Sequence, residues 1–175
     1  MIRTLDLRGR KLSKAEINRE IPRARLDVET AMAVIAPILE RVKNGSEETL
    51  RELAQEFDGV KPAQIRVPQT ALDQALAELD PAIRTALELS ISRVRKVHED
   101  QVRSVKTVQV VDGGTVTEKW IPVDRDGLYV PGGRAVYPSS VMMNVVPAQI
   151  AKVSSIAVAS PPQKEFSGLP HPTIL

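Results

Sequence analysis

Apolar residues recur at helical spacing through the first hundred positions, and β-branched runs replace them afterwards. Between Asp27 and Gly45, the residues Val28, Met32, Ile35, Leu39 and Val42 follow steps of four, three, four and three, which places them on one face of a helix. Asp27 stands at its N-cap position and Gly45 at its stop. Pro37 falls inside this stretch, and an interior proline costs ~3 kcal/mol, so the pattern predicts a kink or a break there. Upstream, Ser13 to Ile21 reads as a short helix ended by Pro22, because proline disfavours helical geometry in the residue before it. Ser46 opens another helix, with Glu47 and Glu48 in its first turn and Leu50, Leu53 and Phe57 on one face before Gly59. Ile65 to Val67 reads as a short extended piece between Pro62 and Pro68. Thr70 to Leu79 is helical. Asp80-Pro81 then caps a long helix with proline at its first position, and Ile83, Leu87, Ile91 and Val94 form its apolar stripe to about Gln101.

After residue 101 the period changes. Thr107 to Val111 and Thr115 to Ile121 are β-branched runs on either side of Asp112-Gly113-Gly114, the pattern of a β-hairpin. A second Asp-Gly pair at Asp126-Gly127 reads as a turn. Leu128-Tyr129-Val130, Pro131-Gly132-Gly133, a helical stretch from near Ser139, and Ile156 to Ala159 then spell strand, glycine turn, helix, strand. One such βαβ unit of ~30 residues is what a parallel sheet is built from, with a right-handed crossover. The fold class expected is therefore α/β, with a mainly helical region at 1–101 and a hairpin plus first βαβ unit at 102–175.

Composition narrows the function. Aromatic residues make up only 3% of the 175 residues, leaving few rings to stack on bases, so nucleic-acid binding loses support. Lysine and arginine exceed acidic residues by only two, and no partner class follows from charge. There is no cysteine, which removes disulfides, thiolate nucleophiles and zinc sites built on sulfur and fits a reducing, cytoplasmic compartment. The first ten residues carry Arg3, Asp6, Arg8 and Arg10 and lack an apolar core of signal-peptide length. The longest apolar run, Ala31 to Leu39, covers nine residues, far short of the ~20 a membrane span needs.

The most informative chemistry lies at Gly127-Leu-Tyr-Val-Pro-Gly-Gly133. A glycine pair between strand and helix lets backbone approach a ligand and aims helix amides at an anion, but it lacks the G-x-G-x-x-G spacing. A cofactor loop and a plain structural turn both remain open on the residues alone. Tyr129 sits where the strand should end, the usual place for ligands in open α/β sheets; the alternative is a half-buried tyrosine whose hydroxyl finds a backbone partner. Ser139 and Ser140 read first as helix N-caps, with substrate contact as the other role. His98 and His171 have no second histidine or carboxylate at a metal-ligand spacing. The bland reading of His98 is a helix-end position, and His171, between two prolines, reads as an exposed loop residue.

The run from Gly127 to Ala151, Gly-Leu-Tyr-Val-Pro-Gly-Gly-Arg-Ala-Val-Tyr-Pro-Ser-Ser-Val-Met-Met-Asn-Val-Val-Pro-Ala-Gln-Ile-Ala, resembles the signature region of histidinol dehydrogenases. The likeness continues through Ile156-Ala-Val-Ala-Ser-Pro-Pro162 and upstream through Asn44-Gly45, Phe57-Asp58-Gly59 and Val97-His98-Glu99. This resemblance implies amino-terminal helices and a hairpin leading into a partial Rossmann-like, aldehyde-dehydrogenase-like sheet. It implies an enzyme that oxidises L-histidinol to L-histidine through an aldehyde, with two hydride transfers to NAD, zinc holding the substrate, and a homodimeric assembly. Tyr129 then corresponds to an NAD-contacting tyrosine, with Pro131, Gly132 and Gly133 as the loop beside it and Ser139 near substrate. Arg134 departs from the family's usual small or polar residue. Family members run to well over twice this length, and the resemblance implies that zinc ligands and a catalytic Glu-His pair lie after Leu175. Two rivals stand beside this reading: a non-catalytic binding or interaction module keeping the first half of the fold, and a distant aldehyde-dehydrogenase-like protein, which the lack of cysteine weighs against.

Overall fold

The computed structural model describes residues 4–21, 28–133 and 135–175. The chain divides into two compact units, residues 1–44 and 45–175. In the first, α1 (Lys14–Glu20) begins at Ser13, whose side chain accepts from the Glu16 amide while Glu16 reaches back to the Ser13 backbone, a reciprocal cap. Arg10 pairs with Glu20 at 3.3 Å. Helix α2 (Val28–Asn44) runs through Pro37 as one element, so the expected break does not occur. One missing hydrogen bond in a seventeen-residue helix leaves intact turns on both sides. The expected cap at Asp27 and stop at Pro22 lie outside the described residues.

The second unit starts with α3 (Glu47–Asp58), capped by Ser46 and closed by Gly59 at φ +71°, a left-handed value glycine takes at no steric cost. Ile65 to Val67 forms no strand. After α4 (Gln69–Glu78), Asp80 accepts from the amides of Ala82 and Ile83 at 2.7 and 3.2 Å and starts α5 (Pro81–Asp100). Strands β1 (Lys106–Val111) and β2 (Gly114–Glu118) pair antiparallel, and the Thr107 and Thr117 hydroxyls meet at 2.9 Å. Almost every residue of this hairpin is exposed on both faces. It stands on its ladder and that cross-strand pair rather than on a core.

The element that positions the site is the βαβ unit. Strands β3 (Arg125–Tyr129) and β4 (Ser155–Ala159) pair in parallel, Arg125 with Ser155 through Tyr129 with Ala159, as the sequence predicts. Asp126-Gly127, expected as a turn, lies inside β3, because pairing with Ile156 and Ala157 overrides a local turn preference. The crossover is α6 (Pro138–Ile150), continuous through Pro147. It packs on α5 and touches both strands, and Arg95 donates to Gln149 at 2.8 Å across the two helices. Val130, Val146 and Ala148 are buried here, and Val130 is fully enclosed. The chain closes with a short 3-10 turn, Lys164–Phe166.

Candidate functional site at the strand ends

Parallel pairing brings the carboxyl ends of β3 and β4 to the same edge of the sheet. The last β3 residue is Tyr129, opposite Ala159, and the Val130 amide continues the ladder to the Ala159 carbonyl at 2.8 Å. Tyr129 is 63% exposed. It is thus not the half-buried tyrosine of the alternative reading: its ring stands as an open face at the place where ligands bind in such sheets. Val130, completely enclosed behind it, anchors the strand end so that the ring is held out from a rigid base.

Pro131, Gly132 and Gly133 follow as a ledge beside the ring. Gly133 has φ +86°, which L side chains rarely adopt. A Cβ on Gly132 would lie 3.3 Å from Pro161 Cδ, 3.3 Å from Ser160 Oγ and 3.4 Å from Gln163 Nε2. The two glycines serve different ends: one permits the turn and the other permits close packing. Arg134 lies outside the described residues.

Ser139 does not cap a helix. Pro138 occupies the first position of α6, the N-cap residue is Tyr137, and no side chain caps this end. Ser139 is therefore in the first turn, exposed, and Ser140 donates its amide to the Tyr137 carbonyl at 2.9 Å. With no N–H on Pro138 and the Ser140 amide engaged, this uncapped end has few amides left for an outside acceptor. The proline at position one takes the start of the helix that a serine would otherwise mark.

The histidines stand apart from this ledge. His98 ends α5 and its Nδ1 pairs with Gln101 Oε1 at 2.8 Å, a helix-end role. His171 is not a loosely exposed loop residue: its Nδ1 accepts from the Thr173 amide at 3.1 Å, and its ring meets Phe166 edge-on at 5.0 Å. Flanking prolines had suggested only an open loop, whereas the side chain organises the turn at 171–174, where the Ile174 amide donates to the His171 carbonyl. Among the described residues no group of three or more His, Cys, Asp or Glu side chains comes together as a metal site would require.

Two cavities lie away from the ledge. One of about 440 Å³ lies among His98, Arg103, Trp120, Pro147 and Lys152, where Arg103 stacks on Trp120 at 4.7 Å. The other, about 360 Å³, lies among Leu72, Leu76, Leu87, Ile91, Val141 and Ile174. Neither is lined by Tyr129 or the glycine pair. A flat apolar ring and backbone on an open ledge suit an extended ligand, while the cavities are bounded by packing side chains.

Comparison with known proteins agrees with the signature run. Residues 21–175 match the family profile described as histidinol dehydrogenase. The chain is 60% identical to histidinol dehydrogenase of Thermobifida fusca over 175 residues, all of this chain and 39% of that protein. It is 57% identical to the Nocardia farcinica protein of the same name, over 98% of this chain and 38% of the relative. The crystal structure of histidinol dehydrogenase from Elizabethkingia anophelis superposes with a TM-score of 0.77 at 26% identity, over 88% of this chain and 34% of that one. The chain thus spans about two fifths of the curated relatives it matches. A profile match over most of its length, with the strand, glycine ledge and crossover helix in place, shows that the chain belongs to the histidinol dehydrogenase family.

Proposed function

We propose that this chain is the amino-terminal part of an enzyme that oxidises L-histidinol to L-histidine through an aldehyde, and that its own contribution is the ledge for NAD. The observation that carries the reading is Tyr129, exposed at the carboxyl end of β3 beside a glycine pair. The residues fit the cofactor. The ring offers a flat face and one hydroxyl, and Gly132 and Gly133 keep side chains out of the approach. NAD supplies the hydride acceptor; the chain holds it in place at the sheet edge. Ser139, exposed in the same first turn, is the residue we assign to the substrate side.

The described residues do not fit zinc, since no three His, Cys, Asp or Glu side chains among them come together. We place the zinc ligands and the Glu-His pair in the length of the relatives that this chain does not span. No described helix is long and apolar enough to cross a membrane. A cytoplasmic homodimer, with residues 1–101 as a helical scaffold and 102–175 as the cofactor side, completes the proposal.

The test uses the whole protein, with NAD reduction followed on L-histidinol. Tyr129→Phe should lose one hydrogen bond, about 1 kcal/mol, whereas Tyr129→Ala should also lose the ring's packing, about 2 to 3 kcal/mol. The alanine variant should therefore raise the KM for NAD roughly tenfold or more, with zinc content unchanged. Normal NAD dependence in a folded Tyr129→Ala enzyme would make the tyrosine structural.

A further inference from the structure

Because Tyr129 pairs with Ala159 and Val130 donates to the Ala159 carbonyl, the segments that leave the two strands run side by side. Gly132 on one meets Ser160, Pro161 and Gln163 on the other. Two of those three neighbours present polar atoms, and among the described residues neither Ser160 Oγ nor Gln163 Nε2 has a hydrogen-bond partner although both are shut off from solvent. Gln163 is 8% exposed. Its main chain is fully engaged: the amide donates to the Leu169 carbonyl at 3.0 Å, and its carbonyl accepts from Phe166 and Gly168. The backbone is thus pinned, and the side chain is presented to Gly132.

An apolar side chain would fill the same space without burying an unpaired donor, which is costly. Such groups call for an explanation, and beside a ligand ledge the natural one is a second arrangement in which they are paired. The geometry points to Ser160 and Gln163 as positioning residues for the Pro131–Gly133 ledge. They form a polar seat beneath Gly132 whose hydroxyl and amide donors acquire acceptors when the ledge is drawn onto a bound dinucleotide. This rests on the cofactor reading above. The small size of Gly132 lets the ledge settle onto the seat, since a methyl group there would already touch all three neighbours.

The seat has a signature that a merely structural residue lacks, because stability and affinity move in opposite directions. In the whole protein, Gln163→Leu removes an unpaired donor and should leave the Tm without NAD equal or higher. It should also weaken NAD binding, measured by calorimetry, roughly fivefold, the equivalent of one hydrogen bond. Ser160→Ala, a one-atom deletion that carries little risk of misfolding, should do the same and decides the matter if Gln163→Leu does not fold. Unchanged affinity in these variants, or a loss of Tm and affinity together, would overturn the proposal. Failure of the unsubstituted protein to bind NAD would defeat the cofactor reading and the seat with it. Normal NAD binding that Tyr129→Ala weakens but Gln163→Leu does not would defeat the seat alone.

Discussion

Single residues on this chain are decided by backbone angle as much as by side-chain chemistry. Lys152 and Gly133 both hold left-handed backbone, at φ +64° and +86°. Lys152 closes α6 in a Schellman arrangement, its amide donating to Gln149 and that of Val153 to Ala148, at a position glycine fills best. Lys152→Gly should therefore stabilise the protein by up to about 1 kcal/mol in urea unfolding; a loss of stability would show that the lysine stem contributes packing. Gly133→Ala runs the same physics backwards and should cost about 1 to 2 kcal/mol, with NAD affinity falling as the ledge distorts. The place of Tyr129 at a strand end was legible in the sequence, because Pro131-Gly132-Gly133 breaks the strand pattern just after it. Ser160 and Gln163 were not, since the contact that joins them to Gly132 is made by strand pairing some thirty positions apart in the chain.

At the scale of elements, the cap read at Ser139 did not form, while the caps at Ser46 and Asp80 and the stop at Gly59 were read correctly. Asp80 shows why: its carboxylate takes two orphan amides of α5. Asp80→Ala should lower stability by about 1 kcal/mol, measured as a shift in denaturant midpoint. Helix α3 is tied to the next loop through Glu48, whose carboxyl is held below the ordinary glutamate value by Lys61 first and Arg51 second. A depressed folded value means that this contribution is present above the ordinary value and is lost as the pH falls through the folded one. Lys61→Met should raise the Glu48 titration seen by NMR and flatten that acid loss. Asp58, raised by burial, acts with the opposite sign and costs stability once the pH exceeds its ordinary value. The break allowed for at Pro37 and the turn read at Asp126-Gly127 did not form, because local preference was weighed without the neighbours that override it.

For the whole molecule, the deciding fact is how little apolar surface is covered. Val158 and Tyr129 on the sheet, Ile121 and Val123 before it, and Met32, Ile35 and Leu39 on α2 are all exposed. The two-stranded parallel sheet leaves open edges and faces, which invite association. The 175-residue chain on its own should therefore self-associate or unfold at low denaturant; sedimentation showing a tight, stable monomer would contradict this.

Periodicity by itself determined the main helices and the hairpin and βαβ strands, though neither Ile65 to Val67 nor the start of β3, since each residue's place on a face depends only on its spacing from its neighbours. The signature run likewise carried the family without any coordinates. Tertiary structure alone decided that Pro37 and Pro147 stay within helices, that Pro138 rather than Ser139 opens α6, and that Ser160 and Gln163 lie beneath Gly132. It also decided which predicted apolar faces are covered, as the exposed stripe of α2 shows. The physical reason is common to all of these: spacing sets the direction a side chain takes, while burial and pairing depend on surfaces brought in from distant parts of the chain.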